Sequence, residues 1–347
     1  MPSPAPHIFL IGIVLFPGIA AAQSAVIETS VVDSANRQLE SSLAGRKKTK
    51  KKIPDIPMLY DGELEDSGPQ LLLLEPPPHD WFQFLCDTQF YFTSNATMSE
   101  RNTTGTDVFA LTAQGAITPK PFALLGGKVF SSAGFRYQHF RYGLLSGTDK
   151  QINNSYLPVD SMDFAAYTPY AQFDWRSGPW TIGLGARFSA YRSLDSDHTT
   201  YQEWAPSLQA GRSFSLGDNQ QISFGGDFTY RFSHSFLPPG VSLPPGWFYS
   251  DQNDRYDLGL TLAYTAVLGE NWMIQPSYRF QFSDYTQTSV SRQDYYHILS
   301  LTVAWHVNEY LSLRGFCSAE FRDSTDDVVA DYKNLNGGLG LMGVLRF

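Results

Sequence analysis

From Trp81 onward the chain alternates apolar and polar positions with a period of two. Trp180, Ile182, Leu184, Ala186, Phe188 and Ala190 fall on one side of an extended chain, and Thr181, Gly183, Gly185, Arg187 and Ser189 on the other. Ile222, Phe224, Phe228, Tyr230 and Phe232 oppose Ser223, Gly225, Asp227, Thr229, Arg231 and Ser233 in the same way. Further on, Leu258, Leu260 and Leu262 oppose Asp257, Gly259 and Thr261, and Ile274, Tyr278, Phe280 and Phe282 oppose Gln275, Ser277, Arg279, Gln281 and Ser283. Successive side chains of a strand point to opposite faces, so each stretch predicts a strand with one apolar and one polar face. The pattern gives twelve strands, at 82–95, 107–117, 122–142, 162–176, 179–193, 201–214, 219–234, 254–267, 271–285, 294–306, 309–322 and 332–347. The third breaks strict alternation within 126–143 and predicts a β-bulge there.

The connections decide what the strands build. Short ones (118–121, 176–179, 216–219, 268–271, 306–309) alternate with long polar ones (98–107, 144–162, 194–200, 235–253, 286–293, 323–331). Short turns at one rim and long loops at the other, with an even strand count, are the pattern of a closed transmembrane barrel. Both chain ends of the barrel then lie on the short-turn side. Closure leaves no strand edge unpaired in lipid, where an orphan backbone group is costly. The expected fold is all-β: a closed antiparallel transmembrane β-barrel of about twelve strands, with short periplasmic turns and longer extracellular loops. Trp81, Trp175, Trp180, Trp272 and Trp305 all fall at strand ends beside short turns or the barrel start. Their amphipathic rings suit an aromatic belt at the membrane–water interface.

Composition narrows the picture. Aromatic residues make up 15% of the chain, and one long apolar run exists, Ile8 to Ala22, so a bundle of transmembrane helices is excluded. That run ends on Ala20, Ala21 and Ala22 and predicts a signal peptide over 1–22; with no cysteine after it, it is not a lipoprotein signal. Residues 23–80 read as a flexible periplasmic extension, with a basic run at 45–52, an acidic patch and a stiff triple proline. Residues 81–347 form the barrel. The net charge of −9 argues against a nucleic-acid partner. Two cysteines, Cys86 and Cys317, exclude a disulfide scaffold or zinc ribbon. Both fall on the apolar face and are expected to stay unpaired.

With this pattern, residues 81–347 resemble Gram-negative outer-membrane β-barrel proteins, and the last hairpin is similar to porin-like barrels. The terminal Phe347, with Leu345 and other apolar residues at alternate positions before it, resembles the C-terminal signal read by the barrel-assembly machinery; Gly343 departs from it, since many members carry a larger apolar residue there. The resemblance implies an outer-membrane location, with outer-membrane lipid, lipopolysaccharide and that machinery as partners.

A channel needs a polar lumen. Arg187, Asp227, Arg231, Arg279, Arg314 and Glu320 fall on the inner face and are the candidate pore lining, with Asp87 and Asp257 beside them. The same charges could instead pair and pack the lumen shut, giving a structural, docking or surface-binding barrel. The proline-rich loop near 236–250 could contact a ligand or fold inward. Outer-membrane phospholipases and lipid A deacylases are barrels too, but the His–Ser spacing they use is not met at His139 or His234. An omptin-like water activation could use Asp197 and His198 facing Asp326 and Asp327. No cofactor or metal is expected, and no enzymatic activity. The leading expectation is passive diffusion of small polar or ionic solutes.

Overall fold

The computed structural model describes residues 79–100, 103–147, 158–217, 219–237, 250–288, 291–326 and 331–347. The expected signal peptide, all of the extension before His79, and most of the proline-rich loop lie outside them. Among the described residues there are thirteen strands: β1 (Phe82–Thr93), β2 (Thr106–Ile117), β3 (Phe122–Leu124), β4 (Gly127–Tyr142), β5 (Phe164–Ser177), β6 (Trp180–Ser193), β7 (Thr199–Ser215), β8 (Gln220–Ser235), β9 (Arg255–Leu268), β10 (Trp272–Tyr285), β11 (Arg292–His306), β12 (Leu311–Ser324) and β13 (Tyr332–Arg346). Among the described residues a 3-10 turn, Val159–Met162, precedes β5.

Twelve of the strands close an antiparallel ring. Each pairs with its neighbours in sequence, β2 pairs with β4 past the short β3, and β13 pairs with β1. The β3 strand lies outside the ring and, among the described residues, pairs with the start of β4 alone. This corrects two expectations. The third strand is broken at Leu125 and Gly126, both at positive φ (47° and 72°), rather than bulged. The 118–121 connection is accordingly not a tight turn but the entry to a small β3–β4 hairpin. From Ala133 onward β4 runs in unbroken register with both neighbours. Among the described residues a register shift falls at Tyr191/Arg192, where β6 pairs with β7.

The seam closes on the last residue. Phe82 N–H donates to Phe347 O at 2.9 Å, Phe347 N–H donates to Phe82 O at 3.1 Å, and the two rings stack at 6.0 Å. Leu339, Leu341, Leu345 and Phe347 face outward, as their alternation predicts. Arg346 sits exposed at the short-turn rim.

The two faces of the wall differ sharply. Outward Leu184, Phe224, Leu260, Leu299 and Leu339, on five different strands, are each half exposed or more. Their inward neighbours are serine, threonine or glycine, with Ile298 beside Leu299 the exception. Contiguous apolar area running round a whole molecule is a surface for lipid rather than water. Pro169, Pro206 and Pro276 interrupt the cross-strand register in β5, β7 and β10, as residues without an N–H must.

Candidate pore lining

Four inward glycines set the geometry of the lumen wall. Asp227 on β8 and Arg279 on β10 are separated by β9, where Gly259 stands opposite Asp227. The pair spans the intervening strand, with Arg279 Nη1 and Nη2 donating to the two Asp227 oxygens at 2.8 and 3.0 Å. A Cβ on Gly259 would lie 2.5 Å from both Asp227 Oδ1 and Arg279 Nη2. The glycine is therefore the space the ion pair occupies.

The same device recurs three times. Gly183 on β6 lies between Asp174 and Gln209, whose Nε2 donates to Asp174 Oδ1 at 3.1 Å. Gly134 on β4 lies beneath Tyr170, whose hydroxyl accepts from Gln114 Nε2 on β2 at 2.8 Å. Gly340 on β13 lies beneath Arg314, which reaches Asp87 on β1 at 2.5 Å. In each case a polar side chain lies along the wall over a missing Cβ instead of projecting across the lumen. Such close approach is what glycine permits and any other residue obstructs.

The loop-side third is built differently. Arg231 donates to Asp257 at 2.5 Å and to Glu203 at 2.8 Å, while Arg255 shares Asp257 at 3.1 Å. Ser283 donates to the same Asp257 at 2.6 Å. Arg187 approaches Glu203 at 3.6 Å from the other side. Next to this network, Arg292 pairs with Asp294 at 2.6 Å and stacks over Tyr285, with Arg322 over Tyr332. Almost all of these side chains are buried, Asp294 completely. Buried charges persist only when paired and hydrogen-bonded, as Glu203, Arg231, Arg255, Asp257, Arg292 and Asp294 are. Glu320 is held by neutral groups, with Asn336 Nδ2 donating at 2.9 Å; among the described residues no cation pairs with it.

All six sequence-predicted lining residues thus face the interior, but they do not form one site. Asp227 and Arg279 pair at mid-height. Arg187 and Arg231 join through Glu203, Arg314 binds Asp87, and Glu320 stands apart. Sequence reasoning missed Glu203, Arg255, Arg292, Asp294, Arg322 and Arg136. Alternation puts each on the polar face, so the signal was present, but several sit within two residues of a strand end, where boundaries are least legible.

The five tryptophans of the expected belt, out of seven in the chain, gather at the short-turn rim. Trp81, Trp180, Trp272 and Trp305 face outward and exposed, Trp272 stacks on Trp305 at 6.1 Å, and Trp175 donates its Nε1 to Leu124 O at 2.9 Å. Cys86 and Cys317 are free and outward; they stand opposite Gly343 and Gly337 of β13, so they differ in height as well as strand.

At the loop rim, Asp163 follows the 3-10 turn and accepts from the Tyr142 N–H at 2.8 Å. Burial pushes its carboxyl up to about 6 from an ordinary 3.8, against the opposing pull of that hydrogen bond and of Arg141. Asp197 pairs with Arg192 at 2.8 Å, and His198 Nδ1 lies 2.6 Å from Ser196 Oγ. The β12–β13 loop bearing Asp326 stands on the opposite side of the ring from the β6–β7 loop that carries them, and Asp327 lies outside the described residues. Among the described residues no group of three or more His, Cys, Asp and Glu could hold a metal ion.

No family model matches the chain, and no curated protein matches its sequence. Solved structures match its shape. An outer membrane channel from Pseudomonas putida F1 aligns with a TM-score of 0.51 at 10% identity, over 78% of this chain and 97% of that one. The beta domain of the Bordetella autotransporter Brka aligns with a TM-score of 0.44 at 11% identity, over 77% and 100%. The KdgM porin aligns at 0.37 and 8%, over 75% and 98%. The fold is that of bacterial outer-membrane β-barrels, and the apolar outer face is built for lipid.

Proposed function

We propose that this outer-membrane barrel is a porin-like, non-catalytic channel through which small polar or ionic solutes diffuse passively. One observation carries the reading: at mid-height, inward glycines let polar side chains bridge across a strand and lie along the wall. At Gly134, Gly183 and Gly259 the polar side chains so placed keep part of their surface exposed, whereas the Arg314–Asp87 pair over Gly340 is buried. The polar inner face supplies the hydration a permeating solute loses on entry. On this reading the loop-side networks around Arg231 and Arg292 form the constriction.

Those same networks favour a second reading, a barrel closed at its loop-side third that serves a structural or docking role. Twelve strands enclose a lumen between the small barrels filled by side chains and the large water-filled porins, so strand number alone does not choose. The full chain reconstituted into liposomes separates the two. Swelling in isotonic arabinose or glycine, absent from protein-free liposomes, supports the channel. Liposomes that stay unswollen in either solute overturn it.

A further inference from the structure

We infer that Glu320, Ser318, Asn334 and Asn336 form a buried site for an alkali cation, sodium or potassium, on the loop-side lumen wall where β12, β13 and β1 meet. The site goes beyond the channel reading and stands whether or not the lumen conducts.

Register assembles it. Glu320 and Ser318 on β12 stand directly opposite Asn334 and Asn336 on β13, and Asn336 stands opposite Thr93 on β1. All five side chains are buried on the inner face. They converge through hydrogen bonds. Asn336 Nδ2 donates to Glu320 Oε1 at 2.9 Å and to Ser318 Oγ at 3.2 Å. Asn334 Nδ2 donates to Asn336 Oδ1 at 3.1 Å, and its own Oδ1 accepts from Thr93 Oγ1 at 2.9 Å and from the Asn95 N–H at 3.0 Å. The two amides are thereby fixed from β1, and with the serine hydroxyl they surround one carboxylate.

That carboxylate is what the cluster leaves unbalanced. Glu320 is 2% exposed, and its Oε2 is buried without a hydrogen-bond partner among the described residues. On the other neighbouring strand it stands opposite Ile298, which is apolar and buried, so that side chain of β11 offers it no polar group. The buried carboxylates of Asp87, Glu203, Asp257 and Asp294 each meet an arginine at 2.8 Å or less. Glu320 meets none, and a buried charge held by neutral donors alone keeps most of its desolvation cost. A further neutral donor would satisfy Oε2 and leave the charge, whereas a cation answers both. One formal negative charge balances a monovalent ion, while calcium sites draw on more oxygen ligands and more carboxylate charge. A set of carboxylate, amide and hydroxyl oxygens, without imidazole or thiolate, suits hard cations. An ion here fastens the loop-side end of the closing seam, as the Phe82–Phe347 bonds fasten its short-turn end.

The test is equilibrium urea unfolding of the refolded full chain in detergent, in sodium, potassium or choline chloride at equal concentration, so that screening is the same throughout. The unfolding constant should be about threefold or more lower in sodium or potassium than in choline, the factor that mass action gives once the ion is at twice its dissociation constant. Glu320→Gln should remove the difference. Equal wild-type midpoints in the three salts overturn the site, and so does a difference that Glu320→Gln retains. Asn336→Asp sets a second carboxylate beside the first and should make calcium stabilise the barrel more than sodium does; a variant indifferent to calcium overturns the site as well. The wild-type comparison needs no variant, and Asn336→Asp decides the location should Glu320→Gln not fold. None of these measurements reads conductance, so a failed site leaves the channel reading standing, and a silent bilayer leaves the site standing.

Discussion

Replacing Gly259 with alanine should destabilise the barrel, although the same substitution in an ordinary strand is mildly stabilising. Glycine in a strand interior loses more conformational freedom on folding than alanine, so the change alone favours the folded state by about 0.5–1 kcal/mol. Here the new methyl would lie 2.5 Å from an oxygen of Asp227 and a nitrogen of Arg279. One of the two must move, breaking a bidentate pair with contacts at 2.8 and 3.0 Å. Overpacking of this kind costs about 1–3 kcal/mol. The pair is about a quarter exposed, so after solvent screening its loss adds only about 1 kcal/mol. The sum is a net loss of about 1–3 kcal/mol. Equilibrium urea unfolding in detergent, followed by tryptophan fluorescence, measures it as a lowered midpoint. The decisive comparison is a second background: with Asp227→Asn and Arg279→Gln already in place, Gly259→Ala should be neutral or stabilising. If Gly259→Ala raises the midpoint in the wild-type background, the glycine is not the space that the ion pair needs.

Two further predictions follow from the two environments of the wall. Asp163→Asn should stabilise the loop-side rim at pH 7.5 by about 1–3 kcal/mol, because the raised carboxyl pKa penalises the ionised folded state. The wild-type contribution is fully present below about 4, falls as pH rises, and is lost above about 6. Urea midpoints at pH 4, 5, 6 and 7.5 should therefore decline more steeply for wild type than for the variant, and parallel curves would contradict the assignment. Leu260→Arg places a charge on the lipid face near mid-strand and should cost about 2–4 kcal/mol in vesicles; the same midpoint as wild type would mean that β9 does not face lipid there.

Much of this architecture is legible in the amino-acid sequence, for a physical reason. Lipid outside and water inside impose opposite demands on alternate residues, so every strand announces both its existence and its facing, as Leu258, Leu260 and Leu262 against Asp257, Gly259 and Thr261 illustrate. The C-terminal run declares its outward set just as plainly, and its partner strand follows from closure. What alternation does not convey is register across three strands. Asp227 and Arg279 could be assigned inward one by one, but not to a shared span over Gly259, because that depends on two independent strand pairings. Arg187 and Arg279 fall alike on the inner face by alternation, yet Arg187 has Glu203 beside it and Arg279 has Asp227. The β3–β4 hairpin was missed because Leu125 takes positive φ, a conformation that a leucine does not advertise. Strand ends hid Arg255 and Arg292, whose inward networks begin at the first residue of each strand.

The central claim is that this barrel conducts, and single-channel recording of the refolded full chain in a planar bilayer tests it most directly. The account predicts discrete, reproducible current steps in potassium chloride. Bilayers shown to contain folded, heat-modifiable barrel that carry no steps would contradict it, and would establish instead that the arginine networks of the loop-side third close the lumen.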